Sequence, residues 1–293
     1  MAKSLTVLVT GATGKQGGAV ARRLLERGHK VRAFTRKADS PAAQALAAAG
    51  AELASGSLED RAALDRAAGG ADVVFSMGTP FESGIEAETR QGVTVADAAK
   101  AAGAYLVYTS VGSANRNTGI PHFESKKLVE DHIAKIGVRA SIVAPVYFME
   151  NIGFTIQQVR QGIYATPLTA ARKLAQVAVA DIGAFAVLAI ENADRFAGKR
   201  HDIASDDVSG NDAVEILSRV TGKKFSYFQV PMEMIRGTMG EDGVKMYEWF
   251  ERVGYTFDLA SLKKEFPEVG WHSYEAWAKT QDWKSMLGAL PPR

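Results

Sequence analysis

The residues best placed to do chemistry begin at Gly11-Ala12-Thr13-Gly14-Lys15-Gln16-Gly17-Gly18, between an apolar run, Leu5 to Val9, and a stretch with Ala19, Val20, Leu24 and Leu25 at helical spacing. Glycines so spaced suit a phosphate. Gly11 permits a tight turn, Gly14 lets backbone approach a pyrophosphate, and Gly17 lets the helix pack against the strand. The first N–H groups of that helix, with about half a positive charge at their end, then face the anion. Downstream, the second strand candidate ends in Thr35-Arg36-Lys37, without the acid that bonds both ribose hydroxyls of NAD. Such an acid would repel a 2′-phosphate by roughly 4 kcal/mol at ~4 Å and an effective dielectric near 20. The planar Arg36 fork does the reverse, gripping the phosphate and covering the adenine. The pattern therefore predicts NADP(H), with a solvated Arg36–Lys37 pair as the alternative.

Two further turns flank this site. Ser57 and Leu58, after the third strand candidate, either line the adenine pocket or serve the next helix, with Ser57 as its N-cap and Asp60 in support. Ser76-Met77-Gly78-Thr79-Pro80 leaves the sheet beside the glycine loop, where Gly78 lets backbone run along a ribose or simply makes a turn. These segments need a scaffold. Strand candidates at Leu5–Val9, Val31–Thr35, Ala51–Ala54, Ala71–Ser76, Ala104–Tyr108 and Ala140–Val143 alternate with helices near 17–27, 41–49, 58–68, 84–102 and 122–136. Several helices end at a glycine suited to a left-handed cap: Gly28, Gly50, Gly69, Gly103 and Gly137. Such alternation specifies an α/β fold, a Rossmann-type doubly wound parallel sheet whose ligand lies beyond the carboxyl ends of the strands.

After Pro145 the rhythm changes. A helix-containing excursion at 147–161, a buried helix at 175–190, strands at His201–Ile203 and Phe225–Gln229, and a helix at Asn211–Val220 are expected, then an aromatic helical tail. Residues 1–150 thus read as an NADP-binding Rossmann domain and 151–293 as a smaller α/β C-terminal lobe, closely packed and partly interleaved with the first, that binds substrate. The C-terminal Trp and Tyr residues, Tyr247 among them, read as core, with one or two of them available to roof the pocket.

Composition narrows the function. A formal charge of +2, evenly spread, argues against nucleic acid as a partner. Zero cysteines exclude disulfides, thiolate catalysis and thiolate metal sites. The five histidines show no ligand spacing, so no metal is expected, and His29 reads as a solvated residue behind a helix. Met1-Ala2-Lys3-Ser4 leaves no room for a signal peptide before the first strand, and the apolar stretch 174–190 is broken by Gln176, Asp181 and Gly183. A soluble cytoplasmic protein without a membrane span is expected. The apolar helices at 84–102 and 122–136 offer faces for a homodimer.

The sequence resembles the NmrA-like branch of the atypical short-chain dehydrogenase/reductase superfamily. The resemblance rests on the glycine run, the stretch Gln91-Gly92 to Gly103, Tyr108-Thr109-Ser110, His122-Phe123-Glu124-Ser125-Lys126, Pro145 to Asn151, Asp181-Ile182-Gly183 and Thr221-Gly222-Lys223. It implies a site in which Gly11, Thr13, Gly14 and Gly17 carry the pyrophosphate. Lys15 and Gln16 lie nearby, and Arg36 and Lys37 take the 2′-phosphate. Ser76, Met77, Gly78, Thr79 and Thr109 would follow the cofactor, Lys126 would hold its ribose, and Pro145 and Tyr147 would border the nicotinamide. Phe148, Met149 and Asn151 would face a small-molecule substrate. The superfamily's Tyr-x-x-x-Lys is replaced by His122 and Lys126, so the proton donor is His122, Ser110 or a bound water, unless His122 is structural or helix-capping. Ser110 either orients substrate or bonds its own backbone. Two functions remain open: an NADPH-dependent reductase of a small apolar carbonyl, enone or quinone, or a non-catalytic sensor of NADPH/NADP acting on a regulatory protein partner.

Overall fold

The computed structural model describes residues 4–288; Met1 to Lys3, on which the expectation of no signal peptide drew, lie outside the described residues. Its strands are β1 Thr6–Val9, β2 Lys30–Thr35, β3 Glu52–Ser55, β4 Val73–Ser76, β5 Tyr105–Thr109, β6 Ala140–Pro145, β7 Tyr147–Phe148, β8 Ile163–Thr166, β9 Leu174–Val177, β10 Arg200–Ile203, β11 Asp206–Val208 and β12 Ser226–Gln229. Seven of them form one sheet in the order β10-β6-β5-β4-β1-β2-β3. Strands β3, β2, β1, β4, β5 and β6 pair in parallel, which is the Rossmann-type doubly wound arrangement that the alternation predicts. Every residue of β4 and β5 is buried, as strands covered on both faces must be. On one face Leu8, Leu64, Val74, Val95, Leu106 and Val129 form a common core.

The chain divides into two compact units. The first takes residues up to Pro145 together with Ile182–Asp202; the second takes Val146–Asp181 and the residues from Ile203 onward. The second holds a three-stranded sheet, β11-β9-β7, and a parallel pair, β12-β8, around a core that includes Met149, Tyr164, Leu217, Tyr274, Trp277 and Trp283.

Some local expectations change. The apolar run at 175–190 is strand β9 followed by the helix Val179–Glu191, and the excursion at 147–161 starts as β7 before a 3-10 segment and the helix Ile156–Arg160. Strands β8 and β11 carry no expectation at all. Gly69 has φ −55°, and the left-handed residue behind that helix is Gly70, at φ +71°. His29 is buried: its Nδ1 accepts from the Leu5 N–H at 3.2 Å and its Nε2 meets Glu191 Oε1 at 2.9 Å. Among the described residues no helix is long and apolar enough to cross a membrane, and no group of three or more ligating side chains could hold a metal.

Candidate functional site

The order of the large sheet reverses beside β1, which puts the switch point, where doubly wound sheets take their ligands, at the loops leaving β1 and β4. Thr10, fully buried, ties the two loops together. Its Oγ1 donates to the Met77 carbonyl at 3.1 Å and accepts from the Met77 N–H at 2.9 Å. Gly11 follows at φ +61°, and a Cβ there would lie 2.6 Å from Met77 Sδ. A Cβ on Gly17 would lie 2.3 Å from the Gly11 carbonyl oxygen, so the helix Lys15–Glu26 packs onto the turn only because that side chain is missing.

That helix begins at Gly14 with no side-chain cap and no acid in its first turn. Its leading N–H groups have no intrahelical acceptors and leave a positive end. Thr13, Gly14 and Lys15 are exposed at this end, and Gln16 Oε1 is buried without a hydrogen-bond partner. An anion with hydroxyl donors matches that set. The residues present therefore fit the pyrophosphate and ribose of a dinucleotide.

Arg36 and Lys37 stand exposed past the end of β2, where Thr35 Oγ1 accepts from the Lys37 N–H at 3.2 Å. Arg36 is not solvated alone. Its Nη2 bonds Glu82 Oε2 at 2.6 Å, and Glu82 belongs to the short helix Pro80–Ser83 that follows β4. Thr79 caps that helix by accepting from the Phe81 N–H at 3.4 Å. Ser57 is not a helix cap: Asp60 caps Arg61–Ala68, and Ser57 Oγ accepts from the Glu59 N–H at 3.2 Å in a local turn. Leu58 packs against the sheet core.

Lys126 lies in the helix Pro121–Ile136, one face of which is buried. Its Nζ bonds Glu88 Oε1 at 2.7 Å and the Gly78 carbonyl at 3.5 Å. Glu88 is 2 % exposed, and its other oxygen accepts from Ser125 Oγ at 2.7 Å. An ammonium carries three donors, so one direction is left for a ligand. Thr109 Oγ1 donates to the Ser76 carbonyl at 3.2 Å, holding β5 to β4 beneath this cluster. Tyr108, between the acids, is pushed well up from the usual phenol value by burial and then by Glu88 and Glu130.

His122 is buried four residues before Lys126, with ring centroids 4.8 Å from Phe123 and 6.1 Å from Phe81. It does not cap the helix. Ile120 occupies the N-cap without a side-chain bond, while Glu124 Oε1 accepts from the Gly119 N–H at 3.0 Å. Ser110 makes no turn with its own backbone; its hydroxyl donates to Glu130, whose carboxylate also meets Arg200 Nε at 3.2 Å. Pro145 ends β6, and its carbonyl accepts from the Gly112 N–H at 2.9 Å.

In the second unit Tyr147 lies on β7 with its hydroxyl 3.4 Å from that of Tyr247. Burial, and then Tyr247, raise its phenol well above the usual value, while a bond from Asn151 opposes that rise. Tyr147, Tyr164, Tyr247, Arg172, Gln176 and Leu174 are among the residues lining a narrow recess with room for about one water molecule. Phe148 is half-buried on β7. Met149, expected to face substrate, is instead 1 % exposed in the core of this unit with Tyr164 and Trp277.

Glu82, Glu88 and Glu130 are absent from the residues singled out by sequence, and Tyr247 figures there only within the aromatic tail. Two of them left a signal: Glu88 shares a helical stripe with Gly92, Val95 and Ala99, and Glu130 shares one with Lys126, Phe123 and Ile133. A charge on an apolar stripe needs a buried partner. The expected homodimer faces are turned on each other within the chain, since a Cβ on Gly92 would lie 2.7 Å from Val129 Cγ2.

Comparison with known proteins agrees with this architecture. The family model described as the NmrA-like family matches residues 3–281. A (4-alkanoyl-5-oxo-2,5-dihydrofuran-3-yl)methyl phosphate reductase of Streptomyces griseus is 32% identical over 240 residues, covering 78% of this chain and 79% of that protein. The NmrA-like family domain-containing oxidoreductase FrzB of Cladobotryum sp is 34% identical over 158 residues, half of this chain and 47% of that one. The NADPH-dependent quinone oxidoreductase QOR2 of Escherichia coli, solved with NADPH, superimposes with a TM-score of 0.77 at 22% identity over 93% of this chain and 98% of its own, a likeness of fold. With the family model spanning nearly its whole length, the chain belongs to the NmrA-like family.

Proposed function

We propose that the protein is an NADPH-dependent reductase of a small, largely apolar carbonyl, enone or quinone. The observation that carries this reading is the buried Lys126 ammonium, fixed by Glu88 at 2.7 Å with a donor direction left over. In this reading Gly11, Thr13, Gly14 and Gly17, with the helix end behind them, bind the pyrophosphate, Gln16 bonds a hydroxyl or phosphate, and Arg36 with Lys37 takes the 2′-phosphate. Lys126 orients the ribose. Met77, Gly78 and Thr79 run beside it. The unit of residues up to Pro145 with Ile182–Asp202 acts as the dinucleotide domain and the unit of Val146–Asp181 with the residues from Ile203 onward binds substrate, with Tyr147 bordering the nicotinamide and Phe148 and Asn151 toward substrate.

NADPH, when bound, supplies hydride to the acceptor. Since Ser110 is committed to Glu130, the protein's own proton donor is the His122 imidazole. The reductase relative and the quinone oxidoreductase neighbour support this substrate class.

The test is loss of reduced-nicotinamide absorbance when the purified chain meets NADPH and a panel of quinones, enones and small ketones. Turnover is expected with at least one class, and His122→Asn should lower kcat by roughly 100-fold without altering NADPH affinity. Tight NADPH binding with no oxidation across the panel would overturn the reading and leave the sensor alternative, whose mark is a partner affinity that differs between NADP and NADPH.

A further inference from the structure

We propose that Glu82 is the second half of the nucleotide-selecting pair at the end of β2, and that with Arg36 it lets the site accept NADH as well as NADPH. The inference rests on the cofactor reading above. It starts from a mismatch between sequence order and space. The acid that reads the two ribose hydroxyls of NAD is missing from Thr35-Arg36-Lys37, yet a carboxylate stands on that position, delivered from the loop behind β4. Glu82 Oε2 lies 2.6 Å from Arg36 Nη2. Whatever Arg36 grips, Glu82 is within one side chain of it.

The two groups ask for opposite ligands. A carboxylate accepts hydrogen bonds and therefore takes a free 2′-hydroxyl; a guanidinium only donates and takes a 2′-phosphate. With NADH, Glu82 accepts from the ribose while Arg36 neutralises it. With NADPH, the phosphate must displace the carboxylate from Arg36, because two anions cannot share that space. The mobility this requires is built into the segment. The helix Pro80–Ser83 has no buried residue, its neighbour Gly84 has φ +89°, and the ion pair is more than half exposed on both sides, so parting it costs little. The arrangement also explains how a site with no acid on β2 keeps one in reach without permanently rejecting phosphate.

Direct binding of NADPH and NADH to the full chain, followed by quenching of protein fluorescence at low salt, tests this. Glu82→Gln should tighten NADPH by about tenfold, since an anion ~5 Å from a dianionic phosphate is removed, and weaken NADH severalfold. Arg36→Gln should weaken NADPH strongly and leave NADH unchanged or tighter, because Glu82 is released. Glu82→Ser provides a second removal of the carboxylate, and unaltered melting of each variant shows that the fold is kept. Both nucleotides moving by the same factor, or neither moving, in the two Glu82 variants would overturn the proposal while leaving the cofactor reading intact. Failure of the unaltered chain to bind either nucleotide would overturn the cofactor reading and this inference with it.

Discussion

Lys126 shows what one buried cation demands of its surroundings. Its side chain is 11 % exposed and that of Glu88 2 %, so each has surrendered most of its hydration for the other. Removing one member leaves an uncompensated charge, which is far costlier than never having had the pair. Glu88→Gln is expected to destabilise the protein by about 3 kcal/mol, read as a lower urea midpoint. Glu88→Leu combined with Lys126→Met should recover most of that stability while weakening nucleotide binding. Equal losses in the single and double variants would show that the pair is not coupled. At this scale the sequence was partly legible. Gly11, Gly14, Gly17 and Arg36 could be singled out because residue type and local spacing alone mark them. Glu88 and Glu82 act across 38 and 46 residues, and nothing near them in the chain names the partner.

Elements are legible where their periodicity is unbroken. The helices Ile85–Ala101 and Pro121–Ile136 start and stop within a residue or so of their expected limits, because each presents one apolar stripe and ends near a glycine. What each stripe packs against is a further question. Gly92 answers it by allowing the first helix to approach Val129 of the second so closely that Gly92→Ala must push Val129 aside. The expected cost is about 1–3 kcal/mol. Val129→Ala in the same chain should return part of it, and strict additivity in the double-mutant cycle would mean that the two residues do not meet. Where one apolar run holds two elements the reading fails. Leu174 to Ile190 contains both β9 and all but the last residue of the helix Val179–Glu191, and apolar residues buried on every side show neither period. Strands β8 and β11, of four and three residues, are too short to show alternation and exist because β12 and β9 pair with them.

At the scale of the molecule the second unit is held by aromatic residues whose meeting no local pattern foretells. Tyr147, Tyr164, Tyr247, Tyr255 and Tyr274 come from five separate segments, and burial raises all of their phenols above the ordinary value, as it does that of Tyr108 in the first unit. The unfolded chain ionises its phenols near pH 10. Above that pH the unfolded state has therefore lost protons that the folded state retains. By linkage, stability is present in full below pH 10 and falls as the pH rises beyond it, by about 1.4 kcal/mol per pH unit for each phenol kept neutral. Several such groups acting together convert a shallow dependence into a cooperative alkaline transition. Phenolate absorbance from this set should accordingly appear with the loss of tertiary circular dichroism and not before it. Tyr147→Phe should make the stability profile less steep above pH 10, because one group that must stay protonated in the fold has been removed. Ionisation of the set while the tertiary signal remains intact would mean that water reaches these hydroxyls in the folded protein, and the recess lined by Tyr147, Tyr164 and Tyr247 would then be open to solvent without any unfolding.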